Sequence, residues 1–160
     1  MDQYRIPFRE TETDVVDEII RWFKFEPDDL FVDIGCGNGT VLEQIAQHVP
    51  VDCWGIEIDE IYHGQAIQRL RTFEQVKLFC GDLRTCELCH DRIRRHVYYL
   101  AWTKTYVDEF DFAKIAKSGD YLFVFKHPIP SMKSTHVIQT TPYNNLYVVY
   151  KLFWQKPTFV

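Results

Sequence analysis

The residues with the clearest chemical pattern are Phe31-Val32-Asp33-Ile34-Gly35-Cys36-Gly37-Asn38-Gly39-Thr40. An apolar run leads into three alternating glycines, and a helical pattern leads out of them. Glycines in that context permit a tight turn and close approach of backbone to a ligand. The N–H groups of the helix behind them favour a negative ligand group. A Walker loop is excluded, because no Gly-Lys-Ser/Thr follows. A dinucleotide loop is disfavoured, because the third glycine, Gly39, comes one residue early for G-x-G-x-x-G. Acids extend the pattern: Asp33 before the glycines, Glu57 in Trp54-Gly55-Ile56-Glu57-Ile58-Asp59, and Asp82 in Gly81-Asp82-Leu83. A carboxylate after a second strand can accept both hydroxyls of a ribose, and one after a third strand can accept an adenine amino hydrogen. Asp33, beside the glycines, suits a cationic group.

These residues need strands that end together. Leu30–Ile34, Asp52–Glu57, Val76–Cys80, His96–Leu100 and Tyr121–Lys126 read as strands. Helical stripes lie between or before them: Val15, Val16, Ile19, Ile20 and Phe23 after Thr11; Val41, Leu42, Ile45, Ala46 and Val49; residues 61–70; and residues 107–116. Residues 84–95 read as helical or irregular. Residues 134–141 and 145–154 are β-rich runs around Pro142-Tyr143-Asn144-Asn145, a hairpin signal. Alternating strands and helices predict a doubly wound, Rossmann-like α/β fold, a mostly parallel seven-stranded sheet with helices on both faces and a C-terminal antiparallel hairpin. In such a sheet Asp33, Glu57 and Asp82 all reach the carboxyl edge, where ligands bind.

Aspartate before three alternating glycines, an acid ending strand two and Gly-Asp-Leu after strand three together resemble the class I S-adenosylmethionine-dependent methyltransferases. The resemblance spans nearly the whole chain. It implies S-adenosyl-L-methionine as cofactor, with S-adenosyl-L-homocysteine as product and no metal. It implies Asp33, Gly35, Gly37 and Gly39 around the amino-acid end of the cofactor, Glu57 and Ile58 at the ribose, Asp82 and Leu83 at the adenine, and Leu100 beside them. The chain also resembles, more weakly, the small archaeal-type protein-lysine methyltransferases. Its aromatic N-terminal arm (Tyr4, Ile6, Pro7, Phe8, Thr11), its short strand-four loop and its His after strand five carry that likeness, but the arm's full Pro-x-x-Pro-Thr-Pro is not present.

The segment after strand four reads Val97-Tyr98-Tyr99-Leu100-Ala101-Trp102-Thr103. It lacks the Asp/Asn-Pro-Pro-Tyr/Phe motif of enzymes that methylate planar nitrogens. The resemblance to the protein-lysine methyltransferases, with a chain too small for a lid over a small substrate, implies a protein lysine as acceptor, with Tyr99, Trp102, Thr103 and His127 as candidate catalytic residues. Aromatic walls lower the pKa of an amine by desolvation and orient its cation; His127 can accept a proton. The alternatives are an RNA or small-molecule methyltransferase, supported by the basic cluster Arg92, Arg94 and Arg95, and a non-catalytic binding module.

Length and charge fit one domain. The chain has 160 residues, 46% of them hydrophobic, and a net charge of −5, which argues against binding nucleic acid by bulk charge. Residues 1–28 form an N-terminal arm and helix, 29–126 the cofactor-binding core, and 127–160 the hairpin. No apolar run is long enough to cross a membrane. Residues 1–60 carry 15 acids and 4 bases (net −11), and residues 61–160 carry 8 acids and 14 bases (net +6). An acidic rim predicts a basic protein segment as partner. Five cysteines and no secretion signal predict reduced thiols and a cytoplasmic location. Cys86-Glu87-Leu88-Cys89-His90 has haem-attachment spacing, and with Cys80 it offers four zinc-type ligands. A half-exposed helix whose thiols merely pack is the plainer reading.

Overall fold

A computed structural model describes residues 13–85, 93–101, 115, 117–125, 129, 136–140 and 145–151. The elements run α1 (Thr13–Trp22), β1 (Leu30–Ile34), α2 (Thr40–His48), β2 (Asp52–Glu57), α3 (Glu60–Leu70), β3 (Val76–Cys80), β4 (His96–Leu100), β5 (Tyr121–Phe125), β6 (His136–Thr140) and β7 (Asn145–Lys151). Strands β1 to β5 are parallel. β7 runs antiparallel to β5, and β6 antiparallel to β7. The order across the sheet is β3-β2-β1-β4-β5-β7-β6. The chain winds outward from β1 to β3 and returns to place β4 on the other side of β1. The carboxyl ends of β1 and β4 therefore flank a topological switch point, the place where open α/β sheets bind ligands.

Burial follows strand position. β1 and β4, in the middle, are buried along their whole length, whereas the edge strand β3 is only half covered. Strand alternation divides the core in two. Phe31, Cys53, Val97, Tyr99 and Phe123 point to one face and pack under α1 (Val16, Ile19), α2 (Leu42, Ile45) and α3 (Ala66, Leu70). Leu30, Val32, Ile34, Ile56, Tyr98, Leu100, Leu122 and Val124 point to the other, with Leu83 and Ile129 against them. Phe23, just past α1, meets Tyr121 and Phe123 edge-on at 4.9 and 5.4 Å. Each such contact adds about 0.5–1.5 kcal/mol beyond its buried area, and together they fix α1 on the sheet.

Polar clasps close the amino edge. Arg95 grips the buried Asp29 with Nε and Nη2 at 2.7 and 2.6 Å, and its guanidinium lies 5.3 Å from the ring centres of both Phe23 and Tyr121. Asp120, fully buried in the turn before β5, accepts the His96 and Lys117 N–H groups at 2.9 Å each. Burial raises the Asp120 pKa, and those N–H groups, with the positive charges of Lys117 and Arg95, pull it back. Most of the helix predicted over 107–116, the turn at 141–144 and the Cys86-x-x-Cys89-His90 motif lie outside the described residues.

Candidate functional site

The glycine loop leaves β1 and turns at once. The N–H groups of Gly35 and Cys36 both donate to the Ile56 carbonyl, at 2.8 and 3.0 Å, which ties the turn to β2. Gly35, Gly37 and Gly39 all have positive φ, at 75°, 54° and 85°. At Gly39 a side chain is excluded twice over. The backbone is left-handed, and an added Cβ would stand 2.7 Å from Leu70 Cδ1 on α3. Gly39 is also the N-cap of α2 and offers no side-chain cap, so the first-turn N–H groups of α2 stay available to a ligand.

Two carboxyl groups meet behind the loop. Glu57, ending β2, accepts the Gly37 N–H through Oε2 at 2.8 Å and the Asp59 N–H through Oε1 at 2.9 Å. Each oxygen keeps a lone pair for a further donor. Asp59 in turn caps α3, accepting from the Ile61 and Tyr62 N–H groups. Asp33 is 2% exposed, and among the described residues its Oδ2 has no hydrogen-bond partner. Burial, with the Glu57 charge second, pushes the Asp33 pKa up to about 8. The Cys36 thiol is buried, and burial first, then the charges of Asp33 and Glu57, raise its pKa, so it stays protonated.

The register Glu57↔Cys80 brings the end of β2 level with the end of β3, and Gly81 N–H donates to the Glu57 carbonyl at 2.9 Å. Ile58 thus stands beside Gly81-Asp82, with Ile58 52% and Ile61 62% exposed. The Asp82 carbonyl starts a 3-10 turn by accepting the Thr85 N–H, and Leu83 packs into the core.

Asp33, Gly35, Gly37, Gly39, Glu57, Ile58 and Asp82 therefore share one edge of the sheet. Leu100 and Tyr99 end β4 at the same edge, but they are buried, only 0% and 1% exposed. Leu100 packs among Ile34, Leu83 and Val124, and the Tyr99 ring stacks on Phe31. Trp102, Thr103 and His127 lie outside the described residues. Two members of the basic cluster change character in three dimensions, and the third, Arg92, lies outside the described residues. Arg94 pairs with Asp52 at 2.7 Å and Arg95 with Asp29 and Glu26, so both serve the amino edge, away from the glycine loop. Among the described residues no group of His, Cys, Asp and Glu could hold a metal ion. No described helix is long and apolar enough to cross a membrane.

Sequence reasoning gave no role to two residues of this edge. Asp59 had a readable signal, an N-cap residue at a helix start. Arg69 had none. Its Nε donates to the Asn38 carbonyl at 3.1 Å and its Nη1 pairs with Glu43 at 2.9 Å.

A glycine loop at the switch point, an acid at or just past the carboxyl end of each of the first three strands and this sheet order define a class I S-adenosylmethionine-dependent methyltransferase. Residues 6–107, more than half the chain, match the family described as "Histone methylation protein DOT1", and the chain belongs to that family. The fold is similar to that of an RNA methyltransferase from Salinibacter ruber in complex with S-adenosyl-L-homocysteine. The TM-score is 0.80 at 15% identity, over 94% of this chain and 98% of that one. It is also similar to a SAM-dependent methyltransferase from Aquifex aeolicus (TM-score 0.65, 15% identity, 84% and 87% covered). A third likeness is to precorrin-6y C5,15-methyltransferase from Geobacter metallireducens (0.63, 14%, 88% and 87%). No curated protein matches the chain.

Proposed function

We propose that this protein transfers a methyl group from S-adenosylmethionine to a lysine of a protein substrate, taken from a basic segment. The observation that carries the choice of acceptor is the division of charge between the two sheet edges. Glu57, Asp59 and Asp82 stand at the cofactor edge, while Arg94 and Arg95 are committed to carboxylates at the opposite edge. A phosphate-rich acceptor meets repulsion there, whereas a lysine-bearing segment is attracted. The family's description as histone methylation proteins agrees with a basic protein acceptor. The likeness to an RNA methyltransferase supports the fold and leaves the acceptor open.

The residues fit the cofactor. A buried carboxyl with an unpartnered oxygen asks for a positive donor, and the cofactor's ammonium is one. Glu57 is held at both oxygens in a position to accept ribose hydroxyls, and Ile58 gives an apolar surface beside Asp82 for a base. When bound, the cofactor would supply a sulfonium methyl for a neutral amine to attack in line, the thioether S-adenosyl-L-homocysteine leaving and the methylated amine giving its extra proton to solvent. The protein's part is then to hold donor and amine in line and to keep water away. No dedicated base is needed once the amine is neutral. Trp102 and Thr103 come after β4 in the sequence and His127 after β5, and we assign them to substrate contact. We read Tyr99 as support from below, through its stack on Phe31. The antiparallel pair β6 and β7 completes, in this reading, a seven-stranded sheet with the C-terminal hairpin of the class. A cytoplasmic setting agrees with the free thiols Cys36, Cys53 and Cys80.

Labelled-methyl transfer into a cell extract, with separate nuclease and protease digestion, tests the acceptor. Label released by protease and recovered as methyl-lysine supports the proposal. Label released by nuclease overturns it in favour of RNA.

A further inference from the structure

We infer that Arg69, on α3, is a positioning residue for the cofactor loop: it fixes the Asn38–Gly39 peptide from outside, so that the loop keeps its binding shape. The inference rests on the reading of this loop as the S-adenosylmethionine site.

The loop's peptides are pinned in pairs. In the Cys36–Gly37 peptide, the carbonyl accepts the Gly39 N–H at 2.9 Å, and the N–H donates to Glu57 at 2.8 Å. In the Asn38–Gly39 peptide, the N–H is the one given to Cys36, and the carbonyl accepts Arg69 Nε at 3.1 Å. A peptide held at both ends cannot flip. Without Arg69 the Asn38–Gly39 peptide loses one of its two tethers among the described residues, and Gly39 on its carboxyl side gives it freedom to rotate. Gly39 is also the cap of α2, so rotation there would break the Gly39 N–H bond to Cys36 and disturb the entry to the helix whose first N–H groups face the ligand.

Arg69 does a second thing with the same guanidinium. Glu43 lies in the first turn of α2, and Arg69 Nη1 pairs with it at 2.9 Å. The pair neutralises a carboxylate that would otherwise oppose the cofactor's own carboxylate at that helix end. A forked guanidinium can reach the carbonyl and the carboxylate together, and a lysine ammonium reaches them less well. This ion pair is about one-third exposed on each side, so its own contribution to stability is small. The loss from removing Arg69 should therefore appear in binding.

The test compares Arg69→Met, Arg69→Lys and Glu43→Gln for S-adenosylmethionine affinity by calorimetry, and for the Gly39 amide resonance in the ligand-free protein. Arg69→Met should weaken binding about tenfold, the effect of losing one charge-assisted hydrogen bond, and should shift the Gly39 amide. Arg69→Lys should fall between it and wild type. Glu43→Gln leaves the Asn38 contact in place, so it should bind no more weakly than wild type. Wild-type affinity in Arg69→Met, or equal losses in Arg69→Met and Glu43→Gln, would overturn the inference, the second by showing that only the ion pair matters. If Arg69→Met does not fold, the Arg69→Lys and Glu43→Gln comparison decides on the same criteria. Absence of binding by the wild type would instead remove the functional reading and this inference with it, whatever the Gly39 resonance does.

Discussion

Asp33 is the residue where folding and binding pull against each other. Its carboxyl is buried with one oxygen unpartnered, and burial with the nearby Glu57 lifts its pKa from 3.8 to about 8. Between those values the folded chain holds a proton that the unfolded chain has released. The contribution to stability is therefore complete below pH 3.8 and declines as pH rises to about 8. Asp33→Asn should abolish that decline, which denaturant titrations at pH 5 and pH 8 would show. The same variant should bind S-adenosylmethionine at least tenfold more weakly, because an amide cannot neutralise an ammonium. Cofactor affinity of the wild type should fall as pH drops below 8, since a bound cation requires the ionised carboxyl; in Asp33→Asn the affinity should be flat across that range.

At the scale of elements, the contact between β2 and α2 is set by Gly55. A Cβ there would meet Leu42 Cδ1 at 2.5 Å, Leu78 Cδ2 at 2.8 Å and Cys36 Sγ at 2.9 Å. Gly55→Ala should destabilise the protein by about 1–3 kcal/mol, as overpacking does, and should loosen cofactor binding because Cys36 belongs to the glycine loop. A thermal melt with and without cofactor measures both effects. The elements themselves were readable wherever the pattern is local. β1, β2, β3 and β4 stand where their apolar runs end, and α2 and α3 where their stripes and caps place them. Asp33 and Glu57 were readable because each directly follows or ends such a run. Arg69 was not, because its partner Asn38 is 31 positions away and nothing in either neighbourhood marks the pairing. Arg94 and Arg95 read as a free basic cluster for the same reason. Their partners Asp52 and Asp29 lie 42 and 66 positions away, and only the sheet brings them together. Tyr99 read as a cleft residue, but which face of β4 it takes depends on strand register, and that register sends it onto Phe31.

For the whole molecule, a net charge of −5 conceals −11 in residues 1–60 against +6 in the remainder. An acidic cofactor edge steers a basic acceptor over several ångströms, and salt screens that field with a Debye length of about 10 Å at 0.1 M. Methyl transfer to a lysine-rich peptide should therefore slow as ionic strength rises, chiefly through a higher KM for the peptide. A rate independent of salt would argue against electrostatic steering. The clasp of Arg95 on Asp29, against the rings of Phe23 and Tyr121, works at the far end of the same strands. It ties the α1–β1 turn to β4 and β5 without help from any segment that meets the ligand. Such a foundation leaves the loops of the opposite rim free to diverge. Grafting a different sequence after β4 should re-aim the acceptor preference while the scaffold beneath keeps its shape.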